Sequence, residues 1–205
     1  MVKFLKLLGI IIALFIIFIL VSGLFISRDF HFERSISIQA PREEVWKNVS
    51  LFSNFQQWDP WRVRDTNMTR TIAGTDGTVG ASYTWKGNSD VGSGTQTFKE
   101  LHPFDLVVID LHFLEPFESN ARVFYRLTPE EKGTKVTWGF DSKMPYPFNA
   151  VGYFFMDMEA MMDKDFSSGL ANLKKLCENN ITRTALLQQG RNEVPAQLLA
   201  SWAEK

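Results

Sequence analysis

Residues 149–180 read NAVGYFFMDMEAMMDKDFSSGLANLKKLCENN, and the remainder of the chain is best understood around this stretch. Its large apolar residues recur at intervals of three and four, the spacing of one face of an α-helix. The pattern predicts one long amphipathic helix from near Asn149, just after Pro147, to near Asn180. Its apolar face carries Val151, Phe154, Phe155, Met158, Met161, Met162, Phe166, Leu170, Leu173 and Leu176.

Upstream of this helix the apolar period changes to two, which is typical of strands. A first strand near Phe30–Ile38 is followed by two short helices, the second ending before Pro60. About six strands with glycine-containing turns then fill Met68–Met144, and the last two form a hairpin across Pro129–Gly133. An antiparallel sheet with one long apolar helix must lay that helix across one face. The sequence therefore predicts an α+β fold, with a curved sheet of about seven strands wrapped round the helix and a space between them.

An uncharged, strongly apolar run from Leu7 to Ser27 precedes this domain. A helix needs about 20 apolar residues to cross a bilayer core, so the run is long enough to span one. Lys3 and Lys6 precede it, and the charges that follow it nearly cancel. Because basic residues favour the cytoplasmic side, we predict a single-pass membrane protein with a cytoplasmic amino terminus and an extracytoplasmic domain.

A cleaved signal peptide is the alternative to a retained anchor. Val21-Ser22-Gly23 has small or tolerated residues at the positions that a signal peptidase reads. The core of a signal peptide usually has only about 7–15 residues, whereas this run stays apolar through Ile26. The length favours a retained anchor. The first strand follows Ser27 almost at once, so the domain is expected to lie close against the bilayer.

Composition limits the classes of function. The net charge is −1 and there is no basic cluster, which argues against nucleic acid as a partner. The one cysteine, Cys177, cannot form an internal disulfide. We expect residues 1–27 to be a transmembrane anchor, residues 30–180 to be one domain with its own core, and residues 181–205 to be a C-terminal extension. Leu198 and Trp202 suggest that part of the extension docks on the domain.

Four motifs, spread in order over the domain, resemble the helix-grip fold of the START-like (SRPBCC) superfamily. Residues 34–46, RSISIQAPREEVW, look like its first strand and helix, and residues 55–61, FQQWDPW, look like the end of its second helix. Residues 133–138, GTKVTW, resemble its last strand, and residues 166–174, FSSGLANLK, the end of its long helix. The nearest subgroup is the polyketide cyclase/dehydrase and lipid transport type. The resemblance implies a central cavity for a hydrophobic small molecule and no obligatory cofactor.

Residues suited to catalysis are few. His112 shares a strand face with Asp110, since positions two apart point the same way, and a histidine beside a carboxylate can act as a general base. Without a nucleophile or oxyanion donors such a pair does not define a site, so a polar pair on the outer face is the favoured interpretation. Asp110, His112 and Glu100 remain weak catalytic candidates. No metal-binding motif is present, and the acidic residues of the long helix are interpreted as a solvated face, namely Asp157, Glu159, Asp163 and Asp165.

Ligand binding is the stronger prediction. The long helix carries four methionines beside phenylalanines, and methionine suits surfaces that adapt to varied apolar shapes. Ligand pockets are mostly apolar with a few placed polar groups, here expected from Tyr83, Gln96, Glu100 and Tyr125. The predicted ligand-binding residues are Trp58, Trp61, Tyr83, Trp85, Phe98, Ile109, Phe113, Trp138, Phe140, Phe155, Met158 and Met162.

These patterns favour a membrane-tethered domain that binds a hydrophobic or lipid-like small molecule in an internal cavity. Two alternatives stay open: a cyclase- or hydrolase-type enzyme on the same cavity, and a partner-binding domain with a vestigial cavity. The partners expected are therefore an apolar small molecule or lipid and, through residues 7–27, a membrane.

Overall fold

The structure, a computed structural model, describes residues 1–192, with side chains described through residue 188. Its elements follow the predicted order of a first strand, two short helices and six strands, and two helices take the place of the one long C-terminal helix that was predicted. In chain order they are α1 Val2–Phe25, β1 Asp29–Ile38, α2 Arg42–Val49, α3 Phe52–Trp58, a 3-10 turn Pro60–Val63, β2 Thr69–Ala73, β3 Ser82–Lys86, β4 Ser93–His102, β5 Leu106–Glu115, β6 Ser119–Glu130, β7 Gly133–Lys143, α4 Phe148–Phe155 and α5 Met158–Asn192.

The seven strands form one antiparallel sheet in the order β1-β7-β6-β5-β4-β3-β2. Period-two alternation is clearest in the outer strands, where one face is buried while the other meets solvent. In the central strand β5, Val107, Val108 and Ile109 are all buried, as expected for a strand covered on both faces. The β6–β7 hairpin is tighter than predicted: Glu130 pairs with Gly133, so only Glu131 and Lys132 turn the chain. Gly133 has a φ of 142°, and a Cβ there would lie 2.1 Å from the Ile38 carbonyl oxygen.

Helix α5 lies across the concave face of the sheet, as the helix-grip arrangement requires. The ring of Phe166 stacks on Trp138 with centroids 4.0 Å apart and meets Phe32 of β1 edge-on at 5.4 Å. Leu170 and Leu173 are also fully buried. The predicted α+β helix-grip fold is confirmed.

The single helix predicted for residues 149–180 is instead two helices. α4 ends at Phe155, and Met156 takes an extended conformation with φ −126° and ψ 124°. The Asp157 side chain then accepts a hydrogen bond from the Ala160 backbone N–H at 2.9 Å, capping the start of α5. The apolar spacing continues through the break, so periodicity alone did not reveal it. At its other end α5 continues beyond the predicted stop near Asn180.

The two ends of the sheet differ in what closes them. The register pairs Asp29 with Lys143 and Phe113 with Ser119, so the β5–β6 loop lies at the end where α1 joins β1. We call this the anchor end. At the opposite end Phe52 of α3 stacks on Phe98 with centroids 3.9 Å apart. Helices α2 and α3 thus cover the concave face of the sheet at that end, and the concave face stays open at the anchor end.

Helix α1 is long and apolar enough to cross a membrane, by length and composition. It packs against α4 and the segment before it. Asn149 Nδ2 donates to the carbonyl oxygens of Gly23 and Ile26, both at 2.9 Å, and Tyr146 Oη donates to the Leu20 carbonyl at 3.1 Å. The two bonds from Asn149 satisfy carbonyl groups that the end of a helix leaves without partners. The predicted patterns at Pro195–Trp202, including Leu198, lie outside the described residues.

Candidate functional site

A cavity of about 750 Å³ lies between the anchor half of the sheet, α4 and the first turns of α5. Ligand pockets are typically about 300–1,000 Å³, so its size suits a small organic molecule. The sheet contributes inward-facing residues at successive alternate positions, because side chains two apart share a face. On β6 and β7 these are Ala121, Val123, Tyr125, Trp138 and Phe140.

Eight of the twelve predicted ligand-binding residues line this cavity. They come from β3, β5, β7, α5 and the 3-10 turn, which are brought together by the curvature of the sheet. They are Trp61, Tyr83, Trp85, Phe113, Trp138, Phe140, Met158 and Met162. That these residues contact a ligand stays a prediction.

The other four predicted residues lie outside the cavity lining. Phe98 and Ile109 share the inner face but sit toward the closed end, where Phe52 covers the sheet. Trp58 is buried behind the wall, with its indole N–H donating to the Asn48 carbonyl at 3.0 Å. Phe155 points away and meets Phe15 of α1. The alternation of residues correctly predicted that Phe98 and Ile109 face the inside of the sheet. It could not predict that they lie where the interior is filled by α3 and not where the cavity is open.

Several lining residues were missed because they lie outside the strands and the predicted stripe. Met68 and Val91 belong to loops, and Phe117 lies in the β5–β6 loop. Gly152 belongs to α4, and the uncharged run from Met144 to Met156 was the available signal for it. Met156, at the break after α4, was one of the four methionines expected near the cavity, and it lines the cavity.

A small polar network borders the otherwise aromatic cavity. Asp59 is buried and lines the cavity, and its Oδ1 accepts a hydrogen bond from the Trp61 backbone N–H at 2.8 Å. Arg70 Nη2 lies 3.5 Å from Asp59 Oδ2, and Arg70 Nε donates to Tyr83 Oη at 3.1 Å. Burial raises the pKa of Asp59, against the opposing effects of the Trp61 N–H and Arg70.

Two tyrosines add hydroxyl groups to the same wall. Burial raises the pKa of Tyr83 to about 12, with a further contribution from the Asp59 carboxylate. Burial also raises the pKa of Tyr125 above its usual value. Both hydroxyls are therefore neutral at physiological pH, and they can donate or accept hydrogen bonds. Of the predicted polar groups, Gln96 joins Tyr83 and Tyr125 in the lining, whereas Glu100 does not.

Trp61 is held at the cavity wall by α5. Its indole N–H donates to Asp165 Oδ2 at 3.0 Å, and Arg64 pairs with the other oxygen of the same carboxylate. Asp165 was interpreted as part of a solvated face, but it borders the cavity. Asp163 pairs with Arg34 of β1, which lowers the pKa of Asp163. These two acidic residues dock α5 on its neighbours.

The three catalytic candidates lie away from the cavity. Asp110 pairs with Lys99 at 3.0 Å, and His112 Nε2 lies 3.1 Å from Glu118 Oε1. Glu100 meets His102 at 3.3 Å. Asp110 and His112 do share the outer face of the sheet, but each has its own partner instead of the other. In the part of the chain that the structure describes, no three His, Cys, Asp or Glu side chains are grouped to hold a metal ion.

Solved structures with the same fold are numerous but distant in sequence. The Aha1 dimer from Colwellia psychrerythraea is 17% identical, with a TM-score of 0.52, over 73% of this chain and 96% of that chain. A protein from Rhizobium leguminosarum is 15% identical, with a TM-score of 0.55, over 75% of this chain and 97% of that one. The di-domain ARO/CYC StfQ from the steffimycin biosynthetic pathway is 11% identical, with a TM-score of 0.55, over 75% of this chain and 52% of that one.

These likenesses show the fold alone. No curated protein matches the chain. The family model described as polyketide cyclase / dehydrase and lipid transport matches residues 29–178, which is β1 through most of α5. The chain therefore belongs to the polyketide cyclase/dehydrase and lipid transport family.

Proposed function

We propose that this protein is a membrane-tethered domain that binds a hydrophobic or lipid-like small molecule in its internal cavity. The observation that carries the proposal is the cavity itself, with aromatic and methionine walls and a few polar groups on one side. Burying apolar ligand surface there contributes about 25 cal/mol per Å². The neutral hydroxyls of Tyr83 and Tyr125 and the amide of Gln96 supply hydrogen bonds that orient one polar group of the ligand.

Helix α1 supports the tether. Its bonds with Asn149 and Tyr146 build it into the domain, which is expected of a retained element more than of a cleaved one. Gly23 lets the Tyr146 ring approach, since a Cβ there would lie 3.0 Å from that ring. Apolar molecules concentrate in bilayers, so a tether at the membrane gives the cavity a nearby source of ligand.

The enzyme alternative loses its candidate residues. Asp110, His112 and Glu100 face away from the cavity and are paired elsewhere. A ligand held in the cavity meets mostly aromatic rings, methionines and neutral hydroxyls. The Asp59 carboxyl also borders the cavity, but Arg70 and the Trp61 N–H hold it, and among the described residues no second catalytic group is placed beside it, so the observations favour binding over turnover.

The direct test is native mass spectrometry of the full-length chain taken from membranes in mild detergent. We expect a co-purified apolar molecule. Ala121 lines the cavity, so Ala121→Phe is expected to fill part of it and to remove most of the bound molecule. Ala171→Phe is the matched control, because Ala171 is exposed on α5. Absence of any bound molecule from the unaltered chain, or equal loading of the two variants, would contradict the proposal.

A further inference from the structure

The mouth of the cavity carries exposed apolar side chains, with the charged ends of Glu118 and Lys143 beside them. Phe117, Phe148 and Met156 line the cavity, yet 82%, 63% and 47% of their surfaces are exposed. We call these three residues the mouth patch. Exposed apolar patches on a protein usually mark a surface that is covered by something else. The occupant must therefore be identified from where the patch lies.

The mouth patch lies at the anchor end of the sheet. Phe117 belongs to the loop between β5 and β6, at the end where Asp29 begins β1 directly after α1. Phe148 begins α4, and Met156 follows its last residue. The mouth patch thus lies at the same end of the domain from which α1 extends.

Helix α4 also follows α1 into the region that a membrane would occupy. The ring of Phe154 lies 5.3 Å from that of Phe18, and the ring of Phe155 lies 6.0 Å from that of Phe15. A helix crosses the hydrocarbon core in about 20 residues, and α1 has 24. Every spanning register of α1 therefore keeps Phe15 and Phe18 inside the hydrocarbon, and the α4 rings that touch them reach it too.

The sequence around α4 agrees with contact between this segment and the membrane. Residues 144–156 contain no charged side chain, and Lys143 and Asp157 flank them. Asp157 and the nearby Glu159 need headgroups or water around them, which favours the register of α1 that keeps Phe15 nearest to the domain-side boundary of the hydrocarbon.

We propose that the mouth patch is immersed in the bilayer, so that the cavity opens into the leaflet on the domain side and not into water. A ligand then enters sideways from the acyl chains, between α4 and the β5–β6 loop, without crossing solvent. This inference rests on the proposed function, because it presumes both the tether and the cavity. It adds α4 and Phe117 as membrane-contacting elements.

The test places a fluorescent label at single positions of the full-length chain. Cys177→Ser removes the native thiol, and Phe117→Cys or Phe148→Cys then carries an environment-sensitive NBD label. Val79→Cys is the control, because Val79 is also exposed but precedes β3 at the opposite end of the sheet. Each protein is reconstituted into phosphatidylcholine vesicles with and without bromine on the acyl chains.

We expect brominated lipid to quench the labels at 117 and 148 several-fold and to leave the label at 79 unchanged. Equal, weak quenching at all three positions would overturn the inference. So would labels at 117 and 148 that are shielded from both brominated lipid and aqueous iodide, since a second copy of the chain would then cover the patch. Native mass spectrometry measures separately whether the cavity holds a molecule. If it does and the labels are exposed to water, this inference is rejected while the proposed function stands.

Discussion

Asp59 and Arg70 put a charged pair beside a cavity made mostly of aromatic rings. The Asp59 carboxylate is almost fully buried, and the Arg70 side chain is 16% exposed. Burying a charge is costly unless a partner offsets it. The raised pKa of Asp59 shows that the offset from Arg70 and the Trp61 N–H is incomplete. The pair therefore lowers the stability of the fold while it gives one wall of the cavity a polar surface. A costly polar group of this kind suits a site for ligand recognition.

Replacing Arg70 by methionine is expected to destabilise the protein at pH 7 by about 2–3 kcal/mol, because it leaves Asp59 buried without its cation. The folded-state pKa of Asp59 lies above its ordinary value of 3.8. The stabilisation that comes from protonating Asp59 in the folded state is therefore fully present below about pH 4. It is lost as the pH rises through the folded-state pKa of Asp59. Thermal unfolding of the detergent-solubilised variant should show partial recovery at pH 4.

Two further variants make this experiment specific. The exposed Arg126 lies over the Phe124 ring on the outer face, so Arg126→Met should change stability little at either pH. Adding Asp59→Asn to Arg70→Met should remove the extra pH dependence. If the double variant kept it, another group would be responsible.

The thiol of Cys177 should be protected from alkylation in the folded chain. It is fully buried on α5, and burial raises the pKa of its thiol to about 12, with Glu44 adding to the shift. Because the thiolate is the reactive form, we expect iodoacetamide at pH 8 to leave the folded chain unmodified and to react after unfolding. Mass spectrometry of the treated protein measures this. The Val79→Cys, Cys177→Ser variant should react in the folded state; rapid native labelling of Cys177 would contradict the assigned burial.

Among the elements, the α1–α4 contact joins the membrane-proximal helix to the wall of the cavity. Asn149 fixes the end of α1 while Val151 and Gly152 of the same short helix line the cavity. A movement of α1 relative to the domain would therefore move one side of the cavity mouth. The coupling is local, since α4 is only eight residues long.

A substitution at Gly23 tests this contact. A Cβ at Gly23 would lie 3.0–3.3 Å from Tyr146 and Asn149, whereas a Cβ at Gly9 meets nothing within 4 Å. We expect Gly23→Val to lower the thermal midpoint of the detergent-solubilised chain and to speed hydrogen exchange in α4. Gly9→Val has the same change in side chain on the same helix and should leave both unchanged. Indistinguishable variants would mean that α1 does not hold α4.

The elements also show what the sequence alone could and could not predict. Strands such as β6 were predicted because inward and outward residues alternate along them. The break at Met156 was not, because Phe155, Met158 and Met162 keep helical spacing across it although Met156 itself is extended. Asp157, which caps α5, was the one local sign that a new helix begins. It could not be told apart in the sequence from the other acidic residues of this stretch. Phe98 and Ile109 were assigned to the right face, yet their depth depends on Phe52, which is distant in sequence.

For the whole molecule, the curved sheet, α4 and α5 enclose the cavity, and under the proposed tether α1 would hold it at a membrane. The family match begins at residue 29, after α1. The separation into an anchor at 1–27, a domain at 30–180 and an extension at 181–205 remains a prediction. Under the proposed function, the choice of ligand would depend on the few polar groups in the cavity lining, including Asp59, Tyr83 and Gln96.

Retention and orientation of α1 give the last prediction. If α1 is kept as a span, the chain should stay in the membrane pellet after an alkaline carbonate wash, and its intact mass should include residues 1–23. Because Lys3 and Lys6 favour the cytoplasm, a protease added outside intact cells should digest the domain. Changing Lys3 and Lys6 to Gln and placing lysines at Ser27 and Asp29 moves the positive charge to the other end of α1. This change should reverse the orientation of α1 and protect the domain from the protease. A mature chain that begins at Leu24 would instead show cleavage after Gly23, and the immersed mouth patch would then lose the anchor that positions it.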